Sequence, residues 1–234
     1  MRRIVSFDSP RIKSAIILAA GRGSRMRELT DNCPKPLLNV NGKCLIDFHI
    51  EALLAAGISS IVINCAYLKE QIVAHVQAYI QQGYNIQFSI EGDALETAGG
   101  IKKAWNLLED EQVLVVNADI WTDVDYRQLI ATVTSLPVHL WLVDNPEHNP
   151  KGDFDIVNGL VADEPRYTFS GIGIYRKHVV ADLKDGPLAL APVLRELIAR
   201  AEVSGELLQG KWIDVGTPER LSKLNAELQI ASNN

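Results

Sequence analysis

The sequence has no apolar run near the roughly 20 residues that a membrane-spanning helix needs. It reads as a chain without a helical membrane anchor, expected in the cytoplasm. It is also poor in cysteine. Cys33, Cys44 and Cys65 are too few, and too irregularly spaced, for a disulfide framework or a zinc-binding pair. Cys33 falls in the most unusual segment of the chain but reads as a passive thiol. Positive charge is in short supply as well. The formal net charge is -6, so the overall balance offers nothing to a nucleic acid, although a protein that binds phosphates need be basic only locally. Internal repeats, low-complexity stretches and linkers are missing. Met1 to Lys13 carry charges and a proline but no apolar core, which excludes a secretory signal. They read as an extension ahead of one domain over residues 14–234.

What is present is a strand–helix alternation in a chain that is 47% hydrophobic, enough for a substantial core. Short apolar runs at Ser14 to Ala20, Ser60 to Cys65, Asn85 to Ile90, Gln112 to Asn117 and Val138 to Val143 read as buried strands. Between them, Leu45 to Ala56, Leu68 to Gln82, Gly99 to Leu108 and Asp125 to Thr134 have helical spacing. This is the pattern of βαβ units on a parallel sheet, and it predicts an α/β fold with a mostly parallel central sheet between helical layers. After Asp144 the rhythm changes. Phe154 to Val157, Leu160 to Ala162 and Tyr167 to Tyr175 predict a small antiparallel region on the substrate side, with Asn158-Gly159 as a hairpin turn. Helices over Leu188 to Ala201 and Pro218 to Ile230, with strand and loop between them, close the chain.

Gly21 to Asn41 is the segment that carries chemistry. A structureless stretch of that length inside a domain is usually functional. The first strand ends in Ala19, Ala20 and Gly21, whose small side chains let a ligand come close to the backbone. Turns at Gly21 and Gly23 can aim successive N–H groups at phosphate oxygens. Arg22, Arg25, Arg27 and Lys35 add positive charge, and Pro34 and Pro36 fix the backbone on either side of Lys35. Any one of these residues suits an ordinary surface loop; together, after a buried first strand, they point to a triphosphate cradle. The segment is neither a Rossmann fingerprint, which would open a helix at its glycines, nor a P-loop, which would have Gly-Lys-Ser/Thr.

Two aspartates could complete such a site. Asp119 lies just past the strand ending at Asn117, at the sheet edge where open α/β folds bind ligands. Asp214 follows a second short apolar segment. Magnesium on a triphosphate takes one or two carboxylates. From the residues alone, each aspartate is better read as a cap or turn former than as a metal ligand. Asp123 and Asp125 read as caps of the next helix. Asp144 and Asn145 end the fifth strand and suit either a turn or sugar hydroxyls. The five histidines show no triad or ligand spacing and read as structural, and the four tryptophans as core or pocket walls.

The run Leu18, Ala19, Ala20, Gly21, Gly23, Arg25, Met26, followed by Pro34-Lys35-Pro36-Leu37, resembles the signature of the sugar-1-phosphate nucleotidyltransferases. The resemblance extends from Ser14 to about Leu224. Within that family, several segments are most similar to the N-acetylmuramate-1-phosphate uridylyltransferases of bacterial cell-wall recycling. They are Leu95 to Ile101, Val116 to Thr122, Leu142 to His148, Gly152 to Phe154, Phe169 to Ile172, and Val203 to Glu206 running into Trp212 to Thr217. Glu28, Ala98 and Ala118 depart from the family, which often has proline, glycine and glycine there; Glu28 is expected to face solvent.

The resemblance implies a Rossmann-like nucleotidyltransferase fold and transfer of UMP from UTP to N-acetylmuramate 1-phosphate. Mannose-1-phosphate guanylyltransferase is the sibling alternative, and a non-catalytic nucleotide-sugar sensor the alternative of another class. It implies Mg²⁺ on Asp119 and Asp214, and a nucleotide held by Ala19, Ala20, Gly21, Gly23, Lys35, Thr97, Gly99 and Asn117. It further implies catalysis by Arg25 and Lys35, and a sugar held by Asp144, Asn145 and Gly171. Lys151, Arg166 and Lys211 are the candidate partners of a lactyl carboxylate.

Overall fold

Residues 12–232 are described in a computed structural model. The extension read over residues 1–13 therefore lies outside the described residues up to position 11. Its last two residues belong to the folded part: Ile12 is buried, and the Lys13 carbonyl accepts the N–H groups of Ser59 and Ser60.

The first half runs β1 (Ser14–Leu18), two short 3₁₀ turns (Ser24–Thr30 and Lys35–Leu37), β2 (Asn39–Val40), β3 (Lys43–Cys44), α1 (Leu45–Ala56), β4 (Ser60–Cys65), α2 (Lys69–Gln81), β5 (Ile86–Ile90), α3 (Glu96–Trp105) and β6 (Gln112–Asn117). The second half runs β7 (Ile120–Thr122), α4 (Tyr126–Ala131), β8 (Val138–Val143), β9 (Phe154–Val157), β10 (Leu160–Arg176), α5 (His178–Ala181), α6 (Leu190–Ala199), β11 (Val203–Leu207), β12 (Trp212–Asp214) and α7 (Pro218–Ser232).

The main sheet has eight strands. Its path is β11-β8-β10-β6-β1-β4-β5, with β9 added to β10. β6, β1, β4 and β5 are mutually parallel, and β10 runs antiparallel to both β6 and β8. The mostly parallel α/β/α sandwich is therefore as expected. Alternate residues of β1 show why it has two faces. Ala15, Ile17 and Ala19 pack into a core with α1, α2 and α4, whereas Ile16 joins α3, α5 and α6 on the other side. A third cluster seats α7, through Leu221 and Leu224, on Val40, Trp121 and Val215.

Several boundaries differ from expectation for identifiable reasons. α3 opens at Glu96 rather than Gly99, because the Leu188 carbonyl accepts the N–H groups of Ala98 and Gly99 and fastens the first turn from a distant segment. α4 is shorter than its spacing suggests and is capped by Asp125, whose carboxylate accepts the Arg127 N–H. Asp123 is not a helix cap; it accepts the Lys211 N–H and ties β7 to the loop before β12. The Asn158-Gly159 turn joins β9 to β10, with both residues left-handed at φ 53° and 78°.

Candidate active site

Strand β1 lies between β4 and β6, so chain direction around the sheet switches beside it, and a crevice opens at the carboxyl ends of β1 and β6. Leu18 is level with Asn64 on one side and Asn117 on the other. The floor there is built by a buried relay. The Ala19 N–H donates to the Asn64 carboxamide oxygen at 2.6 Å, the Asn64 amide donates to Glu91 at 2.8 Å, and the Leu95 N–H donates to the other Glu91 oxygen. A buried carboxylate is tolerated only when hydrogen-bonded, and these two bonds fix Glu91. Sequence reasoning gave Asn64 and Glu91 no firm role. Only their position at the carboxyl ends of β4 and β5 hinted at one.

Above this floor lies a cavity of about 360 Å³, lined by Ala19, Ala20, Gly21, Gly23, Arg25 and Lys35, with Thr97, Asn117 and Asp119 opposite. Seven of the eight residues expected to hold a nucleotide are thus brought together. The exception is Gly99, which does not line the cavity and is a packing position: a Cβ there would sit 2.4 Å from the Gly186 carbonyl oxygen, and its N–H is taken by Leu188. The long loop is not structureless. Thr30 Oγ1 donates to the Gly23 carbonyl, and the Tyr67 hydroxyl donates to the Thr30 and Asp31 carbonyls. Met26 and Thr30 are buried, while Arg22, Arg25, Arg27 and Glu28 are exposed, Glu28 as expected. Burial raises the Cys33 thiol, in keeping with a passive role.

Lys35 is buried and donates to Asp119 Oδ2 at 2.7 Å. Asp214 stands beside Asp119, because β12 pairs with β7 (Asp214 level with Ile120) and the Val215 N–H donates to the Asp119 carbonyl at 2.9 Å. Both aspartates line a second recess of about 400 Å³ with Arg25, Asn117, His148 and Gly171. Asp214 Oδ2 accepts Arg220 Nη1 at 2.6 Å and lies 3.0 Å from His148 Nε2. Its Oδ1 is buried without any hydrogen-bond partner. An orphaned carboxylate oxygen next to a second aspartate, at a cleft rich in phosphate-type donors, fits a hard divalent cation. Burial, then the neighbouring Arg220, lowers the His148 pKa below the ordinary histidine range. His148 lines this recess and, with Arg220, contacts Asp214; neither has a role there in the sequence reading. The available signals were weak: His148 ends the Leu142 to His148 segment of the resemblance, and Arg220 lies six residues after Asp214 in α7.

Gly171 lines the same recess. It sits in an irregularity of β10 between Phe169 and Ile172, at φ 80°, where a Cβ would be 2.7 Å from the Asn117 amide nitrogen. Ser170 fixes this bulge by donating to the Trp141 carbonyl at 2.6 Å. Asp144 and Asn145, expected at the sugar, line neither cavity. Asp144 is exposed. The Asn145 amide is spent on its own loop, donating to the Pro150 and Arg166 carbonyls and accepting from Thr168. Asn149 and Asp153 of the same stretch reach the recess instead. The other histidines whose contacts are seen lie outside both recesses. His49 is buried between the Tyr126 hydroxyl and the Ile120 carbonyl, His75 bonds Asp47, and His139 bonds Ser204.

Residues 14–152 match the nucleotidyl transferase family. The chain belongs to that family. It is 48% identical to N-acetylmuramate alpha-1-phosphate uridylyltransferase of Neisseria meningitidis over 91% of this chain and 96% of the relative. It is 35% identical to the protein of the same name from Caulobacter vibrioides, over 94% and 97%. A mannose-1-phosphate guanyltransferase of Aspergillus fumigatus is more distant, at 30% identity over 88% of this chain and 61% of that protein. Two solved structures share the fold. One is HddC from Yersinia pseudotuberculosis complexed with GMP-PN, with a TM-score of 0.76 and 22% identity, covering 93% of this chain and all of that one. The other is a Bacillus anthracis protein, named for glucose-1-phosphate thymidylyl transfer and solved with a sucrose. Its TM-score is 0.81 at 22% identity, over 92% and 94%. Among the described residues, no helix is long and apolar enough to cross a membrane.

Proposed function

We propose that this nucleotidyltransferase moves UMP from UTP to N-acetylmuramate 1-phosphate and releases pyrophosphate, acting in the cytoplasm, where UTP is supplied. The observation that carries the reaction type is the meeting of a donor-lined phosphate cavity with two adjacent carboxylates, one with an orphaned oxygen. The choice of base and sugar rests on the names of the two relatives that match nearly end to end.

Asp119 and Asp214 would hold Mg²⁺, which supplies charge neutralisation at the α-phosphate. The rest is positioning by the chain. The acceptor is already an anion, so its phosphate oxygen attacks the α-phosphorus without a general base, while the bond to pyrophosphate breaks opposite it. The N–H groups around Ala20, Gly21 and Gly23 take the triphosphate, Arg25 at the junction of the two recesses stabilises the departing pyrophosphate, and Lys35 bridges the nucleotide and sugar phosphates. Thr97 and Asn117 face base and ribose, and Gly171 the sugar.

Purified protein with Mg²⁺ and each sugar 1-phosphate, tested against each nucleoside triphosphate, tests this by pyrophosphate release. UTP with N-acetylmuramate 1-phosphate is expected to be the best pair. GTP with mannose 1-phosphate as the best pair would replace the reading, and no pyrophosphate from any pair would favour a binding protein without turnover.

A further inference from the structure

The three cations that the sequence offers for a lactyl carboxylate are not at the cleft. Arg166 pairs with Asp155, Lys211 pairs with Glu227, and neither they nor Lys151 lines the nucleotide cavity or the recesses joined to it. A fourth cation is. Arg195 of α6 borders a recess of about 520 Å³ walled by Phe154, Phe169, Leu190 and Leu194. This recess shares Asn117, Asp153 and Phe169 with the one beneath Asp119 and Asp214, and Thr97 with the nucleotide cavity. An acceptor with its phosphate at the two aspartates can therefore extend its other end toward Arg195.

The guanidinium is held from two sides. Its Nε donates to Asp163 at 2.9 Å, and its plane lies over the Phe154 ring at 5.8 Å. Neither contact occupies the two Nη groups. A guanidinium fixed this way presents a fork suited to a carboxylate. Phe154, Leu190 and Leu194 give the recess an apolar wall that suits a methyl group, while Glu96, Thr97, Asn117 and Asp153 line the rest of it. The first turn of α6, Leu190 and Ala191, lies in the same recess with no side-chain cap, so its open N–H groups add positive potential. Muramate differs from glucosamine in one substituent, an ether-linked lactyl group with one methyl and one carboxylate, and both features have a counterpart here.

We propose that Arg195 binds a carboxylate of the acceptor and makes the enzyme selective for an acidic sugar 1-phosphate over its neutral counterpart. The inference rests on the proposed function. The experiment compares steady-state kinetics of wild-type enzyme, Arg195→Ala and Arg195→Lys on N-acetylmuramate 1-phosphate and on N-acetylglucosamine 1-phosphate, which lacks the lactyl group. Arg195→Ala is expected to lower kcat/KM for the muramate at least tenfold. Its kcat/KM for the glucosamine and its KM for UTP should stay within twofold, and Arg195→Lys should recover part of the loss. Equal losses on both acceptors, or no loss on either, would overturn the inference while leaving the proposed function intact. Wild-type enzyme that turns over the glucosamine but not the muramate would overturn both.

Discussion

Asp119 and Asp214 end up side by side, yet different parts of the chain hold them. Asp119 is the more open, at 39% side-chain exposure against 17%, and its partner is Lys35 from the loop after β1. Asp214 is deeper, and its contacts, His148 and Arg220, come from the loop after β8 and from α7. The phosphate-binding face of the nucleotide cavity is thus made by the first strand and the loop that follows it, with Thr97, Asn117 and Asp119 closing the opposite side. The acceptor side is assembled from positions between 148 and 220, brought together by β10 and by the β7–β12 pair. A site contributed by one short segment leaves a motif in the sequence; a site contributed by many segments leaves scattered single residues.

The sharpest way to break this comparison is to remove each carboxylate. Asp119→Asn and Asp214→Asn should each lose at least about a hundredfold in Mg²⁺-dependent pyrophosphate release, corresponding to about 3 kcal/mol of lost transition-state stabilisation, with the circular dichroism unchanged. Chelator-treated wild-type enzyme that works as well as the metal-loaded form would remove the metal role from both. Next come the cations of the nucleotide side. Arg25→Ala and Lys35→Ala should each cut turnover at least tenfold in single-turnover assays. Near-wild-type rates in both would leave the loop a binding element only.

A smaller effect is expected on the acceptor side. In Gly171→Ala, a Cβ at positive φ would press on the Asn117 amide. Backbone strain of that kind amounts to about 1–3 kcal/mol. The KM for the sugar phosphate should rise several-fold and by more than the KM for UTP, which Asn117 also serves; a larger rise for UTP would move Gly171 to the nucleotide side.

The smallest effect concerns stability rather than turnover. Burial lowers the His49 pKa to about 4, against an ordinary value of 6.5. The folded chain therefore keeps His49 neutral where the unfolded chain protonates it. Its contribution is complete above pH 6.5 and is lost as pH falls toward 4, at about 1.4 kcal/mol per pH unit. Urea titrations of wild type and His49→Gln over that range should differ in slope by this amount. Parallel slopes would mean that His49 is protonated in the fold.

The parallel half of the fold was legible because each buried strand is an unbroken apolar run and each helix repeats at its own spacing, as α1 does from Leu45 to Leu53. The two 3₁₀ turns in the Gly21 to Asn41 loop were not, since such short turns have no period to read. The 17-residue β10 was seen only in part, because the exposed stretch Asp163 to Arg166, three charged residues and Pro165, interrupts its apolar pattern. In the site, Lys35 is readable from the loop chemistry around it, whereas Asp119 is marked as a ligand only by the family resemblance, because a lone aspartate after a strand also suits a cap or turn. Asn145 lies outside both recesses, and an asparagine that closes a loop looks the same in sequence as one that meets a ligand. Arg195 was missed because nothing in α6 marks which of its polar residues faces a recess.

Strand β10 has one more consequence. It is made late but lies in the middle of the sheet, between β6 and β8. A chain emerging from the ribosome can lay down β1, β4, β5 and β6 in order, but β6 keeps an unpaired edge until residue 176 is out. For that interval the nascent protein displays an open row of backbone donors and acceptors, the kind of edge that recruits the wrong strand. Synthesis order thus puts the greatest risk of mispairing at the strand that carries Asn117 into the cleft.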